Sequence, residues 1–449
     1  MKSPRNGDIK KTGVKIKARR LQPEIDRLAD RFLPELVADY QKLHAAPELS
    51  HHEKNTSAHL ASRLRAMGYQ VTEQFGQYTN RPWPCHGVVA LLQQGPGPCV
   101  LFRADMDALP VEEKTCLPFA SHVRMQDDNG QEVPVMHACG HDLHCTLLLG
   151  IAQTLMHLKE HWHGTVLFVA QPGEESSDGA EAMLHAGLYE KFARPDYVLA
   201  VHVHDSTAAG QMKYLSGYVF AGVNGIDLKV RGVSGHGAYP EKCIDPIVIA
   251  AQIILALQTV ISRGKSALDP AVITVGSIHG GTRRNVIPEE VDIEMTVRTY
   301  KQAVKEKILK AIERIAAGMA MAAGLPEDRY PILKMTTSLG AVYNSPQLIQ
   351  RSTRVIKSVL GAGNVLPGKP TLGAEDFSCY ALDGLIPAAI LWLGAADPEW
   401  MKANQASGAE MPHIHSPFFR IMAEPAIRTG LRAMTAVMLD LLEGNLANI

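Results

Sequence analysis

The chain has 449 residues, beyond the size at which a single hydrophobic core stops growing, so two folded units are expected. Its 46% hydrophobic and 20% charged residues describe a globular α/β protein, and a formal net charge of -1 argues against the basic character of a nucleic-acid binder. No stretch approaches the roughly 20 apolar residues of a membrane span, and seven scattered cysteines, an odd number, do not form a disulfide framework and place the chain in a reducing compartment, the cytoplasm.

Taken in order, residues 1–20 carry Lys2, Arg5, Lys10, Lys11, Lys15, Lys17, Arg19 and Arg20 without the apolar segment of a secretory signal, and read as a disordered, solvated tail. Apolar residues recur at helical spacing over 23–43 and again over 53–67, on either side of a Pro47-Glu48-Leu49-Ser50 turn. Short apolar runs at 87–92, 99–102, 165–170, 197–203 and 388–393 read as buried strands, and the apolar stretches 147–156 and 247–261 as buried helices. Alternation of buried strands with helices predicts a mostly parallel, doubly wound sheet. Between these elements lies a strand (225–231), helix (246–262), strand (271–278), strand (290–299), helix (302–324) and strand (331–337). That order is the split β-α-β of a ferredoxin-like unit, inserted because strand–helix alternation resumes after it. The expected organisation is a first segment of a catalytic domain at 21–221, an inserted unit at 222–341 and a second catalytic segment at 342–449.

Residues able to do chemistry gather at the ends of the predicted strands, where open α/β sheets bind ligands. In His137-Ala138-Cys139-Gly140-His141-Asp142-Leu143-His144, Cys139 and His141 are two apart, a spacing that puts both on one side of extended backbone and within reach of one metal centre. His137 and His144 could join them or support them. A buried cysteine beside hydrogen-bonded histidines, a Cys–His protease pair and a structural zinc knot are the alternatives for this cluster alone. Glu174-Glu175 follows a strand and a Pro-Gly turn, so one carboxylate can bind metal while its neighbour accepts a proton from water. His202 with His204, and His413 with His415, are read as strand-end pairs facing the same cleft. In the inserted unit, Ser234-Gly235-His236-Gly237 carries a histidine in a glycine-bracketed loop, which could serve an oxyanion or could be a surface turn. Arg298 and Asn285 could grip a substrate carboxylate or peptide carbonyl, or could be a strand-edge charge and a loop cap.

In order, these motifs resemble the M20 metallopeptidase family, in the amidohydrolase branch with hippurate hydrolases, N-acyl-amino-acid amidohydrolases and indoleacetyl-amino-acid hydrolases. The segments that carry the resemblance are His44-Ala45-Ala46-Pro47-Glu48-Leu49-Ser50, Arg103-Ala104-Asp105-Met106-Asp107, residues 136–144, Gln171-Pro172-Gly173-Glu174-Glu175, residues 235–240 with Asp245-Pro246, residues 285–288, Gly373-Ala374-Glu375-Asp376-Phe377 and His415-Ser416-Pro417. The resemblance implies that Cys139, His141, Glu175, His202 and His415 hold two divalent metal ions per subunit, zinc or manganese first, nickel or cobalt next. It implies that Glu174 is the general base and acid, and that Asp107 is the carboxylate that orients the site. The inserted unit would be the family's lid and dimerisation surface, with His236 and Asn285 reaching the partner subunit's cleft. The implied substrate is a small N-acyl amino acid, and a dipeptidase or carboxypeptidase could use the same site. A non-catalytic protein on this fold would have lost ligands, whereas every one is present. Two positions depart from the pattern: Glu241 stands where a second histidine is frequent, and His204-Asp205 follow His202 where an apolar or aromatic residue and a proline are usual. His202 holds the family position, although His204 is the other candidate.

Overall fold

The computed structural model describes residues 17–79 and 81–444. Most of the basic tail lies outside them, but residues 17–20 are the first turn of the helix Lys17–Ala45 and not tail. This helix buries Ile25, Leu28, Phe32, Leu36, Tyr40 and Leu43, which recur every three or four residues and so form one stripe.

The main sheet has eight strands in the order Gln70–Thr72, Val88–Gln94, Gly164–Gln171, Cys99–Asp105, Tyr197–Ala208, Ala388–Ala396, Met212–Tyr214 and Val365–Pro367. The four middle strands are parallel, as the apolar runs imply. The outer strands Gln70–Thr72 and Val88–Gln94 join antiparallel, and so does Met212–Tyr214 against Ala388–Ala396. The middle strands are buried along most of their length because both faces are covered. Along Cys99–Asp105, Val100 and Phe102 join the core beneath the helices Lys17–Ala45, His141–His157 and Ala423–Leu442. Leu101, one residue on, joins the opposite core with Met183, Phe377 and Tyr380. A one-residue slip would exchange these two sets, so the register is strongly specified. It aligns Asp105 with Gln171, which brings the loops after both strands to one edge of the sheet.

The inserted sheet runs Ala271–Gly280, Glu290–Thr299, Gly222–Arg231, Ile332–Leu339, antiparallel throughout, with the helices Pro246–Ser262 and Gln302–Ala322 packed against it. In chain order the first strand, Gly222–Arg231, sits between the third, Glu290–Thr299, and the fourth, Ile332–Leu339, the ferredoxin-like order. Reading 247–261 as a buried helix is corrected here. Ile249, Ile253, Leu257 and Val260 face the sheet, but Val248 is 52% and Leu255 71% exposed. A helix layer over one sheet has an outer side, and apolar composition alone does not tell that side from the inner one. All seven cysteines are free, and no helix among the described residues is long and apolar enough to cross a membrane.

Candidate active site

The loops beyond the middle strands line a cleft of about 610 Å³, whose walls include Cys139, Glu174, Glu175, His202, His415 and Arg298. Cys139 and His141 do not share an extended strand. Between them Gly140 takes a left-handed φ of 82°, and His141 is the first residue of the helix His141–His157. A Cβ at Gly140 would lie 2.6 Å from Val203 Cγ2, so the turn into the helix needs glycine both for its dihedral and for its space. His413 and His415 are not a strand-end pair either. His415 has φ 69° in a turn and points its Nε2 at Glu175 Oε1, 3.3 Å away, while the exposed His413 bonds Asp205.

The five expected ligands converge. Cys139 Sγ is 3.5 Å from His202 Nε2, and His141 Nε2 is 4.0 Å from Glu175 Oε1. The donor atoms of Cys139, His141 and His202 lie within 4.8 Å of one another, as do those of Cys139, Glu175 and His415. Hydrogen bonds aim the imidazoles: His141 Nδ1 donates to the Asp107 carbonyl at 2.8 Å, and His202 Nδ1 donates to the Val203 carbonyl at 2.8 Å. Each ring thereby keeps its Nε2 lone pair for the cleft. His141 Nε2 and Glu175 Oε1 are buried without a hydrogen-bond partner, an arrangement that costs free energy unless a cation takes the lone pairs. Sulfur, imidazole and carboxylate in this arrangement fit divalent transition metals. His204 also lines the cleft, but its Nδ1 accepts from the Ser206 N–H at 3.3 Å, and it is His202 whose Nε2 stands against Cys139.

Charge in the site is unbalanced toward the carboxylates. With no cation beside it, burial opposes protonation of His141, but Asp105, Asp107 and Glu175 outweigh it and push the imidazole up to about 10, and a metal ion binding there would displace that proton. Burial pushes the Cys139 thiol well above its ordinary range, and Glu175 and Glu174 add to the shift. A thiolate here therefore needs a neighbouring cation. Burial also raises Glu174 well above the usual carboxylate range, reinforced by Glu375 and Glu175 and opposed by Arg103. Asp107 receives Ser50 Oγ at 2.7 Å and the Glu175 N–H at 2.9 Å, which fixes the carboxylate that orients His141.

Beneath Glu174 lies a network that the motifs did not reveal. Arg103, 1% exposed, donates to Asp105 at 2.6 Å, to Glu375 at 2.9 Å, to Asp376 at 2.9 Å and to Gln171 at 2.8 Å. Asp105 in turn accepts from His144 Nδ1 at 2.5 Å, while His144 Nε2 accepts the Val203 N–H. Both His144 nitrogens are thus occupied, and its role is to tie three segments together. The signal for this network is an arginine inside an otherwise apolar strand, since a buried guanidinium demands several acceptors. His137 is buried with neither ring nitrogen partnered, and Cys145 donates to the Asp105 carbonyl. Arg298 reaches the cleft while donating to the Leu372 carbonyl at 2.7 Å. His236 and Asn285 do not line the cleft of their own chain; His236 is exposed in a short strand pairing with Val286, next to Asn285.

Comparison with known proteins places this geometry. Residues 101–440 match the peptidase family M20/M25/M40. An N-acetyldiaminopimelate deacetylase of Bacillus subtilis is 34% identical over 400 residues, covering 87% of this chain and 99% of that one. Thermostable carboxypeptidase 1 of Saccharolobus solfataricus is 33% identical over 386 residues, 84% of this chain and 88% of that one. The crystal structure of a Bacillus subtilis protein described as a dinuclear metal-binding peptidase of the M20 family is similar at TM-score 0.73 and 27% identity, across 92% of this chain and 99% of that one. With the match spanning most of its length and the donor cluster in place, the chain belongs to peptidase family M20/M25/M40, as a metal-dependent hydrolase of amide bonds.

Proposed function

We propose that the chain hydrolyses N-acyl amino acids to a carboxylic acid and a free amino acid, in the cytoplasm, as a homodimer built on the inserted unit. The observation that carries this reading is the convergence of Cys139, His141, Glu175, His202 and His415 on a cleft whose buried carboxyl, Glu174, stands beside them. Two divalent ions, zinc or manganese before nickel or cobalt, would be held by those five side chains, and when bound they supply Lewis acidity toward the scissile carbonyl and toward water. Glu174 takes the proton of the attacking water and returns it to the leaving amine. Its raised proton affinity favours the first half of that transfer, uptake of the proton from water. Arg298 meets the substrate carboxylate at the cleft wall. His236 and Asn285, which do not line the cleft of their own chain, act on the partner subunit's, where His236 donates to the oxyanion and Asn285 to the substrate. The exposed apolar side of Pro246–Ser262, with Val248 and Leu255, supports association through this unit. The deacetylase relative favours an acylated substrate. The carboxypeptidase relative favours a second reading, peptide hydrolysis on the same site.

Two variants test the assignment together. Glu174→Gln and His236→Ala are each expected to lose turnover by about 10²-fold or more while keeping the metal content of the wild type. Mixed and allowed to exchange subunits, they should regain about a quarter of wild-type activity, because half the dimers then hold one intact site. Full activity in Glu174→Gln would remove it as the base, and no recovery on mixing would refute a shared site.

A further inference from the structure

We propose that Asp205 is a positioning residue for His415. It fastens the turn that carries His415 to the strand that carries His202. The inference rests on the reading that both histidines are metal ligands, and it concerns a residue where this chain departs from the pattern its motifs resemble.

His415 is the least supported of the five. It belongs to no helix or strand, its side chain is 49% exposed, and its backbone sits in the left-handed region at φ 69°, which a residue with a Cβ keeps only when its surroundings hold it. Three hydrogen bonds do so. The His415 N–H donates to the carbonyl of Ala138, the residue before Cys139, at 2.8 Å. The N–H of Ile414, one residue earlier, donates to Asp205 Oδ2 at 3.2 Å, and His413 Nδ1 meets the same oxygen at 3.1 Å. Asp205 lies three residues after His202 on the strand Tyr197–Ala208, and its side chain is 15% exposed. The turn is thus clamped between the segments of Cys139 and His202. A proline or apolar side chain at position 205 could accept neither bond. Removing the acceptor leaves the Ile414 N–H without its partner and frees the turn to leave the left-handed conformation, which would carry His415 away from Glu175. Supporting groups of this kind are worth about 10–100-fold in metal affinity.

The test strips wild type, Asp205→Ala, Asp205→Asn and His415→Ala of metal with a chelator and titrates each with zinc against a chromophoric competitor, reading the number and affinity of bound ions. Circular dichroism confirms folding. In Asp205→Ala one ion should weaken by about 10–100-fold while the other stays within a few-fold. Asp205→Asn keeps an amide oxygen for the Ile414 N–H and should rescue most of that loss. Should the alanine variant fail to fold, Asp205→Leu, similar in size and without an acceptor, replaces it. If Asp205→Ala binds both ions like wild type while His415→Ala loses one, the proposal fails and the ligand reading stands. If His415→Ala keeps both ions, the ligand reading fails and takes this proposal with it. A folded Asp205→Ala that loses both ions equally, or an asparagine variant no better than alanine, also overturns it.

Discussion

At the scale of the residue, buried charge explains more than proximity does. His44 lies far from the cleft floor in sequence, yet it reads the same electrostatics. Burial opposes its protonation, but hydrogen bonds to Asp142 at 2.7 Å and Glu113 at 3.1 Å outweigh that and raise it to about 9. A folded-state value above the unfolded 6.5 means that the unfolded chain binds fewer protons in the window between them. The charged triad therefore contributes fully below pH 6.5, and its contribution fades as pH rises through about 9. Removing one partner of a buried pair costs about 3–5 kcal/mol, so urea denaturation of His44→Gln should show that loss near pH 6. The gap to wild type should shrink toward alkaline pH. A gap independent of pH would contradict a charged His44. The residues alone marked the segments of Cys139 and His141, Glu174 and Glu175, His202 and His204, and His413 and His415 as metal-competent, and the choice of five donors among them came from the family resemblance. Arg103, Glu375 and Asp376 were not assigned, because their ion network closes only when segments more than 270 residues apart in the chain come together.

At the scale of the element, the helix His141–His157 delivers the cluster through its first residue. Gly140 precedes it in a conformation that alanine adopts at a cost of about 1–2 kcal/mol, and a Cβ would press on Val203 and Ile421 at 2.6 and 3.1 Å. Gly140→Ala should destabilise the protein by roughly 2–4 kcal/mol, with weakened metal binding because Cys139 and His141 flank the strained link. Thermal denaturation with and without metal measures both effects, and an unchanged melting temperature would contradict this account of the turn. Strands and helices were legible wherever periodicity was strong. The four middle strands betray themselves by apolar runs, and the inserted unit by its order of elements. Periodicity does not carry hydrogen-bond partners, so the antiparallel outer strands became visible only with the sheet assembled. The spacing of Cys139 and His141 suggested an extended segment, because a glycine between two ligands does not announce a left-handed turn.

At the scale of the whole molecule, the main sheet supplies the donors and Glu174, while the inserted unit supplies Arg298 to the same cleft and holds His236 and Asn285 away from it. In our reading a single chain therefore carries all five proposed donors and an incomplete substrate site. The substrate itself is the least legible feature, since the cleft wall is assembled from both units and from side chains with no motif of their own. Its chemistry nevertheless separates the two readings. Both substrates present a neutral scissile amide, but on its acyl side a dipeptide carries a free ammonium and an N-acyl amino acid carries no charge. The most direct measurement is kcat/KM of the metal-loaded wild-type protein for N-acetyl, N-benzoyl and indoleacetyl amino acids against matched dipeptides with free amines. A preference for at least one acyl series by about tenfold or more is expected, a difference of about 1.4 kcal/mol in transition-state binding. Equal or better turnover of the dipeptides would contradict it.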